Sequence, residues 1–199
     1  GDEVIMPAYT FVSTANAFLL RGAKIRFADS QPGNPNICVK DIAKLINSKT
    51  KAIVPVHYGG VACDMDEIMS LAQSVGASVI EDAAQAIGCY YKGQALGTIG
   101  DFGTFSYHET KNLNCGEGGT LCINREDAIL RAEIIWEKGT NRAAFFRGEI
   151  DKYNWVDVGS SCLPSELNAA FLYPQLLKMD EINQKRASLW KQYHQGLRE

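Results

Sequence analysis

Apolar positions in this chain fall into short solid runs separated by amphipathic stretches. Val4 to Met6 is an apolar strand stopped by Pro7, and Thr10 to Leu20 reads as a helix ended by Gly22. Lys24 to Ala28 alternates as a strand, and a loop rich in Pro, Gly and Asn follows from Gln31 to Asn36. Asp41 to Asn47 is expected to be a short helix and Lys51 to His57 a strand with a β-branched core. Asp64 to Val75 is amphipathic, with Asp64 as the expected cap, Glu67 at capping-box spacing and Gly76 as the stop. Ala77 to Ile80 is another apolar strand and ends at Glu81-Asp82. Gly103 to Tyr107 and Thr120 to Ile123 are further strands, separated by a polar, glycine-rich bend. Glu126 to Lys138 reads as a helix capped by Gly139, Thr140 to Ser161 as an irregular segment, and Pro164 to Tyr193 as a long helical region kinked at Pro174.

Strands alternating with helices at this spacing predict βαβ units, hence an α/β fold with a mainly parallel sheet flanked by helices. Ligands of such sheets bind at the carboxyl ends of the strands. The polar residues that follow strand ends are therefore the candidates: His57, Asp82, Gln85, and Ser106 through Lys111.

Composition narrows the class. The 199 residues are 46% hydrophobic and 22% charged, ordinary for a globular domain with material for one core. A net charge of −3 gives no electrostatic case for nucleic acid or an anionic membrane. The longest apolar runs are far too short to span a bilayer. Six cysteines without CxxC spacing support neither a zinc site nor a disulfide framework, and point to free thiols in a reducing cytoplasm. The chain opens directly before a strand and closes inside a helical pattern, so it reads as a fragment lacking both an N-terminal and a C-terminal part.

The chemistry converges on Ser106-Tyr107-His108-Glu109-Thr110-Lys111, with Asp82 29 residues upstream of the lysine. Lysine, serine and a distant aspartate are what a pyridoxal phosphate site requires: a Schiff-base amine, a phosphate ligand and a partner for the pyridine nitrogen. Each has a plainer reading. Lys111 could be a surface lysine, Asp82 a helix N-cap, Ser106 a strand hydroxyl bonded to backbone, Phe11 a core residue and His57 a structural histidine.

Several motifs occur together and in order: Gly1 to Phe11, Pro55-Val56-His57-Tyr58-Gly59, Glu81-Asp82-Ala83-Ala84-Gln85-Ala86, and Ser106 to Leu113 followed by Gly116-Glu117-Gly118-Gly119. Combined, they resemble the DegT/DnrJ/EryC1/StrS family of nucleotide-sugar aminotransferases, over essentially the whole chain. The resemblance implies the large domain of the aspartate-aminotransferase fold (fold type I) over residues 1–161. Residues 162–199 would then lead to an absent small C-terminal domain. It implies Lys111 as the Schiff-base lysine, Asp82 against the pyridine nitrogen, Gln85 on the ring hydroxyl, Ser106 on the phosphate and Phe11 stacked on the ring. Asn154 would reach the cofactor phosphate of a neighbouring subunit, so a homodimer with shared sites is implied as well. The glycine/serine/threonine turn that cradles the phosphate in this family would precede residue 1.

A lysine at position 111 separates transamination from the related dehydration, whose enzymes carry histidine there. The resemblance thus implies transfer of an amino group from L-glutamate to a nucleotide-linked keto-sugar. Glu137 to Arg142, Phe145-Phe146-Arg147-Gly148 and Asp157 to Ser161 resemble a narrower subgroup of the family; that resemblance implies a 4-keto-6-deoxyhexose as acceptor and surface glycans such as enterobacterial common antigen as the destination. Another keto-sugar nucleotide remains open, as does a non-catalytic scaffold or regulator on the same fold. A generic dinucleotide-binding module would need a GxGxxG turn, and the sequence has none.

Overall fold

The computed structural model describes residues 1–198. Six strands form one sheet in the order β2-β1-β3-β4-β7-β8. They are β1 (Glu3–Pro7), β2 (Lys24–Ala28), β3 (Thr50–Ile53), β4 (Ser78–Asp82), β7 (Phe102–Ser106) and β8 (Gly119–Ile123). The first five run parallel, and β8 pairs antiparallel with β7. A hairpin that the apolar pattern did not predict, β5 (Tyr90–Tyr91) with β6 (Gln94–Ala95), stands apart from the sheet.

Alternation along β1 sorts the core into two layers. Ile5 packs with Ile53, Val79 and the inner residues of α2 (Val39–Leu45) and α3 (Met65–Val75), including Ile42, Met65, Ile68 and Ala72. Val4 and Met6 face the other way and pack with Ala52, Val54 and, from α1 (Val12–Leu19), Ala15 and Phe18. Helices on both faces of a buried parallel sheet agree with the expected α/β architecture.

The remaining helices are α4 (Glu126–Trp136), α5 (Arg142–Phe146), α6 (Glu166–Leu177) and α7 (Met179–Gly196). Three local expectations need correction. The strand expected to run to His57 loses its regular ladder after Ile53; Pro55 has no N–H to give, although Asp82 N–H still reaches Pro55 O at 2.9 Å. Asp64 stands at the N-cap of α3 without capping it; its carboxylate accepts from Gln31 Nε2 at 2.9 Å instead. The segment from Thr140 to Ser161 is not wholly irregular, because it contains α5. The long C-terminal helical region is two helices: Pro174 lies inside α6, and the break falls at Lys178, whose φ of −109° and ψ of 18° end one helix and start the next. Gly76 ends α3 as expected, with a left-handed φ of 65°.

Candidate active site

Adjacent residues at the end of β4 face opposite environments. Glu81 is completely buried. Its Oε1 accepts from the backbone N–H groups of Ile99 (2.6 Å) and Gly100 (2.7 Å), and its Oε2 from Gly97 N–H (2.8 Å). His57, also fully buried, lies 2.9 Å from Oε2 through Nε2. The backbone N–H of Cys63 points at His57 Nδ1 from 3.2 Å, which makes Nδ1 the acceptor and leaves the proton on Nε2 to donate to Glu81. Burial alone would raise the Glu81 carboxyl, but the His57 bond and the three backbone donors outweigh it and hold the group below its ordinary value.

The glycines make this cage possible. A Cβ on Gly103 of β7 would sit 1.9 Å from Gly97 O, so only glycine lets the 97–100 loop lie against the strand. Gly97 itself needs a φ of +86°. His57 is thus a structural histidine, settling one of the two readings its sequence position allowed.

Asp82 is half-buried and has capacity to spare. Its Oδ1 accepts from Ala84 N–H at 3.1 Å and its Oδ2 from Thr14 Oγ1–H at 2.7 Å. A carboxylate offers about four lone-pair positions, so room remains for another donor. Asp82 lies opposite Thr104 in the β4–β7 ladder, and Ser106 is two residues further along β7. The register therefore places Asp82 and Ser106 at the same edge of the sheet.

Gln85 follows in the turn after β4. Its Oε1 accepts from Gly59 N–H at 2.7 Å, which fixes the amide and leaves Nε2 as a free donor. Ser106 Oγ accepts from His108 N–H at 3.3 Å, leaving its own proton for another acceptor. Lys111 is half-buried, its backbone N–H donating to His108 O at 2.9 Å. Its Nζ has no hydrogen-bonding or ionic partner among the described residues.

Phe11 stands at the N-cap of α1, just past β1, and is 74% exposed. That excludes the core-packing reading and leaves a free ring near the strand ends. Asn154 is the outlier. It is exposed and tied to Asn141, whose Oδ1 accepts its N–H at 2.7 Å, and no bond connects it to the strand-end cluster.

Three contributors escaped the sequence reading. Gln175 of α6 reads the backbone of the lysine loop twice, donating from Nε2 to Asn114 O at 2.8 Å and accepting Asn114 N–H on Oε1 at 3.2 Å. Asn168 adds a bond from Nδ2 to Cys115 O at 2.5 Å. Thr14 is the third, the one buried residue of α1. Polar residues on the inner side of these helices were a signal, but their partners could not be named without the fold.

A hollow of about 1030 Å³ lies elsewhere, between β8, α4 and the approach to α6. Leu121, Ile129, Trp136 and Leu163 help line it, and none of the six candidate residues does. Unsatisfied donors and acceptors, rather than the size of a cavity, mark the strand ends as the place for chemistry.

The DegT/DnrJ/EryC1/StrS aminotransferase family matches residues 1–199. The chain belongs to that family. An uncharacterized protein of Methanocaldococcus jannaschii is 37% identical over 197 residues, covering 98% of this chain and 51% of that protein. The aminotransferase TlmJ of Streptoalloteichus hindustanus superposes with a TM-score of 0.89 at 32% identity, over 98% of this chain and 52% of its own. DesV of S. venezuelae, solved in complex with a ketimine intermediate, gives 0.88 at 31% identity, over 99% and 51%. The fold of the family's aminotransferases is therefore present here, and the chain spans about half the length of these relatives.

Proposed function

We propose that the protein is a pyridoxal 5'-phosphate-dependent aminotransferase that passes the amino group of L-glutamate to a nucleotide-linked 4-keto-6-deoxyhexose, with dTDP-4-keto-6-deoxyglucose as the expected acceptor. One observation carries this reading. The groups with unspent hydrogen-bonding capacity at the sheet edge are an acceptor at Asp82, donors at Gln85 Nε2 and Ser106 Oγ, and an unpaired amine at Lys111. That donor set fits pyridoxal phosphate: a pyridine N–H, a ring hydroxyl, a phosphate and an aldehyde carbon. Family membership and the ketimine complex of DesV support the same choice.

When bound, the cofactor supplies an electron-poor ring that takes up the electron pair left on a carbon that loses its proton. The rest falls to the chain. Asp82 would accept the ring N–H. Gln85 would donate to the ring hydroxyl and Ser106 to the phosphate, and Phe11 would cover one ring face. The amine of Lys111 would hold the cofactor between turnovers and, when freed by substrate, would carry the α-proton of glutamate and the proton delivered to the sugar carbon being aminated.

Asn154 fits a role across a homodimer interface, since its own sheet edge does not engage it. The loop motifs Glu137 to Arg142 and Asp157 to Ser161 resemble those of dTDP-4-amino-4,6-dideoxygalactose transaminase, which favours surface-polysaccharide biosynthesis in the cytoplasm as the setting. The test is to incubate the protein with pyridoxal phosphate, glutamate and dTDP- or UDP-linked 4-keto-6-deoxy sugars. The expected result is amino-sugar nucleotide and 2-oxoglutarate in equal amounts, lost in Lys111→Ala. Cofactor uptake with no amino sugar from any of these acceptors would reject the proposed reaction.

A further inference from the structure

Thr14 is the single buried residue of α1, with 8% of its surface exposed, in a helix whose neighbouring positions are largely open. A threonine there must satisfy its hydroxyl. It does so across 68 residues of sequence, donating to Asp82 Oδ2 at 2.7 Å. Thr10 Oγ1 lies 2.9 Å from Thr14 Oγ1. A hydroxyl has one proton, and a carboxylate is an acceptor only. Thr14 has committed its proton to Asp82, so the proton between the two threonines belongs to Thr10. The chain of bonds has one direction: Thr10 to Thr14 to Asp82.

We infer that Thr14, supported by Thr10, is a positioning residue for Asp82. The inference rests on the proposed role of Asp82 at the ring nitrogen. Two constraints act together on the carboxylate. Ala84 N–H fixes Oδ1 and Thr14 Oγ1–H fixes Oδ2. Asp82 lies only half-buried at the tip of a strand, and without Thr14 its side chain has one anchor instead of two. Thr10 polarises the Thr14 hydroxyl and strengthens the bond that Thr14 makes. The relay also ties α1 to the end of β4, so the segment carrying Phe11 and the carboxylate move as one unit.

The test uses Thr14→Val, which keeps the shape and removes the hydroxyl, with Thr14→Ser and Thr10→Val beside it. Apo-protein is titrated with pyridoxal 5'-phosphate, the visible circular dichroism of the bound cofactor is recorded, and borohydride-trapped label is mapped. Thr14→Val should bind roughly 10-fold more weakly, the scale of a hydrogen bond to a charged group, with an altered visible band. Thr14→Ser should restore both, and Thr10→Val should move both by less and in the same direction. Label should map to Lys111 in every variant. Wild-type affinity and an unchanged band in Thr14→Val, with Lys111 labelled, would overturn the relay. Equal loss in Thr14→Ser and Thr14→Val would overturn it too, by showing that packing and not the hydroxyl matters. A wild type that carries no label at Lys111 contradicts the proposed function itself, and the relay with it.

Discussion

Glu81 and Asp82 are neighbours in sequence and opposites in circumstance. Glu81 is sealed in the interior with four donors around it, from His57 and the 97–100 loop. Asp82 stands half-open with two donors and room for more. Alternation along a strand sends consecutive side chains to opposite faces, so one carboxylate can tie β4 to its neighbouring loops while the next serves a ligand. A saturated charge holds structure, and an unsaturated one has bonding capacity left for chemistry. The same contrast separates His57, spent on Glu81 and Cys63, from Lys111, whose amine has no partner among the described residues.

The strongest way to break this comparison is Glu81→Gln. The amide would aim its NH₂ at donors on one side of the cage and leave a backbone N–H unpaired, at a cost of about 3–5 kcal/mol. Denaturant unfolding would show it; a loss under about 1 kcal/mol would mean that the cage is not what holds this edge together. Acid acts on the same group. Because the folded Glu81 carboxyl is held below its ordinary value, its contribution is complete at neutral pH. It should fall as pH drops through the unfolded Glu value of about 4.3 and be gone below the folded one. Glu81→Gln should flatten that acid limb, measured as unfolding midpoint against pH.

A smaller effect is expected at the lysine loop. Gln175→Ala removes two bonds to Asn114, worth about 1 kcal/mol in stability. It should lower turnover more than cofactor affinity, because the loop that aims Lys111 loosens. Equal changes in both would argue against an aiming role. The least structural effect belongs to Asp82→Asn, which should shift stability by about 0.5 kcal/mol or less while weakening cofactor binding strongly. If Asp82→Asn unfolds the protein as Glu81→Gln does, the two carboxylates are not divided in this way.

The sequence carried the strands, the βα alternation and the strand-end position of Asp82, Gln85, Ser106 and Lys111, because these depend on local runs of apolar residues and on motifs a few residues long. It did not carry the partners. Thr14 meets Asp82 over 68 residues and Gln175 meets Asn114 over 61, and no spacing rule links positions so far apart. Glu81 looked like a second strand-end carboxylate until the 97–100 loop was seen to wrap it. Phe11 was ambiguous between core and surface for the same reason, since the burial of a lone aromatic is decided by what folds over it. The parting of the C-terminal helices at Lys178 had no local signal either, since lysine neither stops nor starts a helix by itself.

The central claim is that the amine of Lys111, which has no partner among the described residues, forms a covalent bond with pyridoxal phosphate. The direct measurement is borohydride reduction of the protein with bound cofactor, followed by digestion and mass mapping. A pyridoxyl label on Lys111, absent in Lys111→Ala, is the result expected. A label on another lysine, or cofactor bound with no reducible link to Lys111, would contradict it.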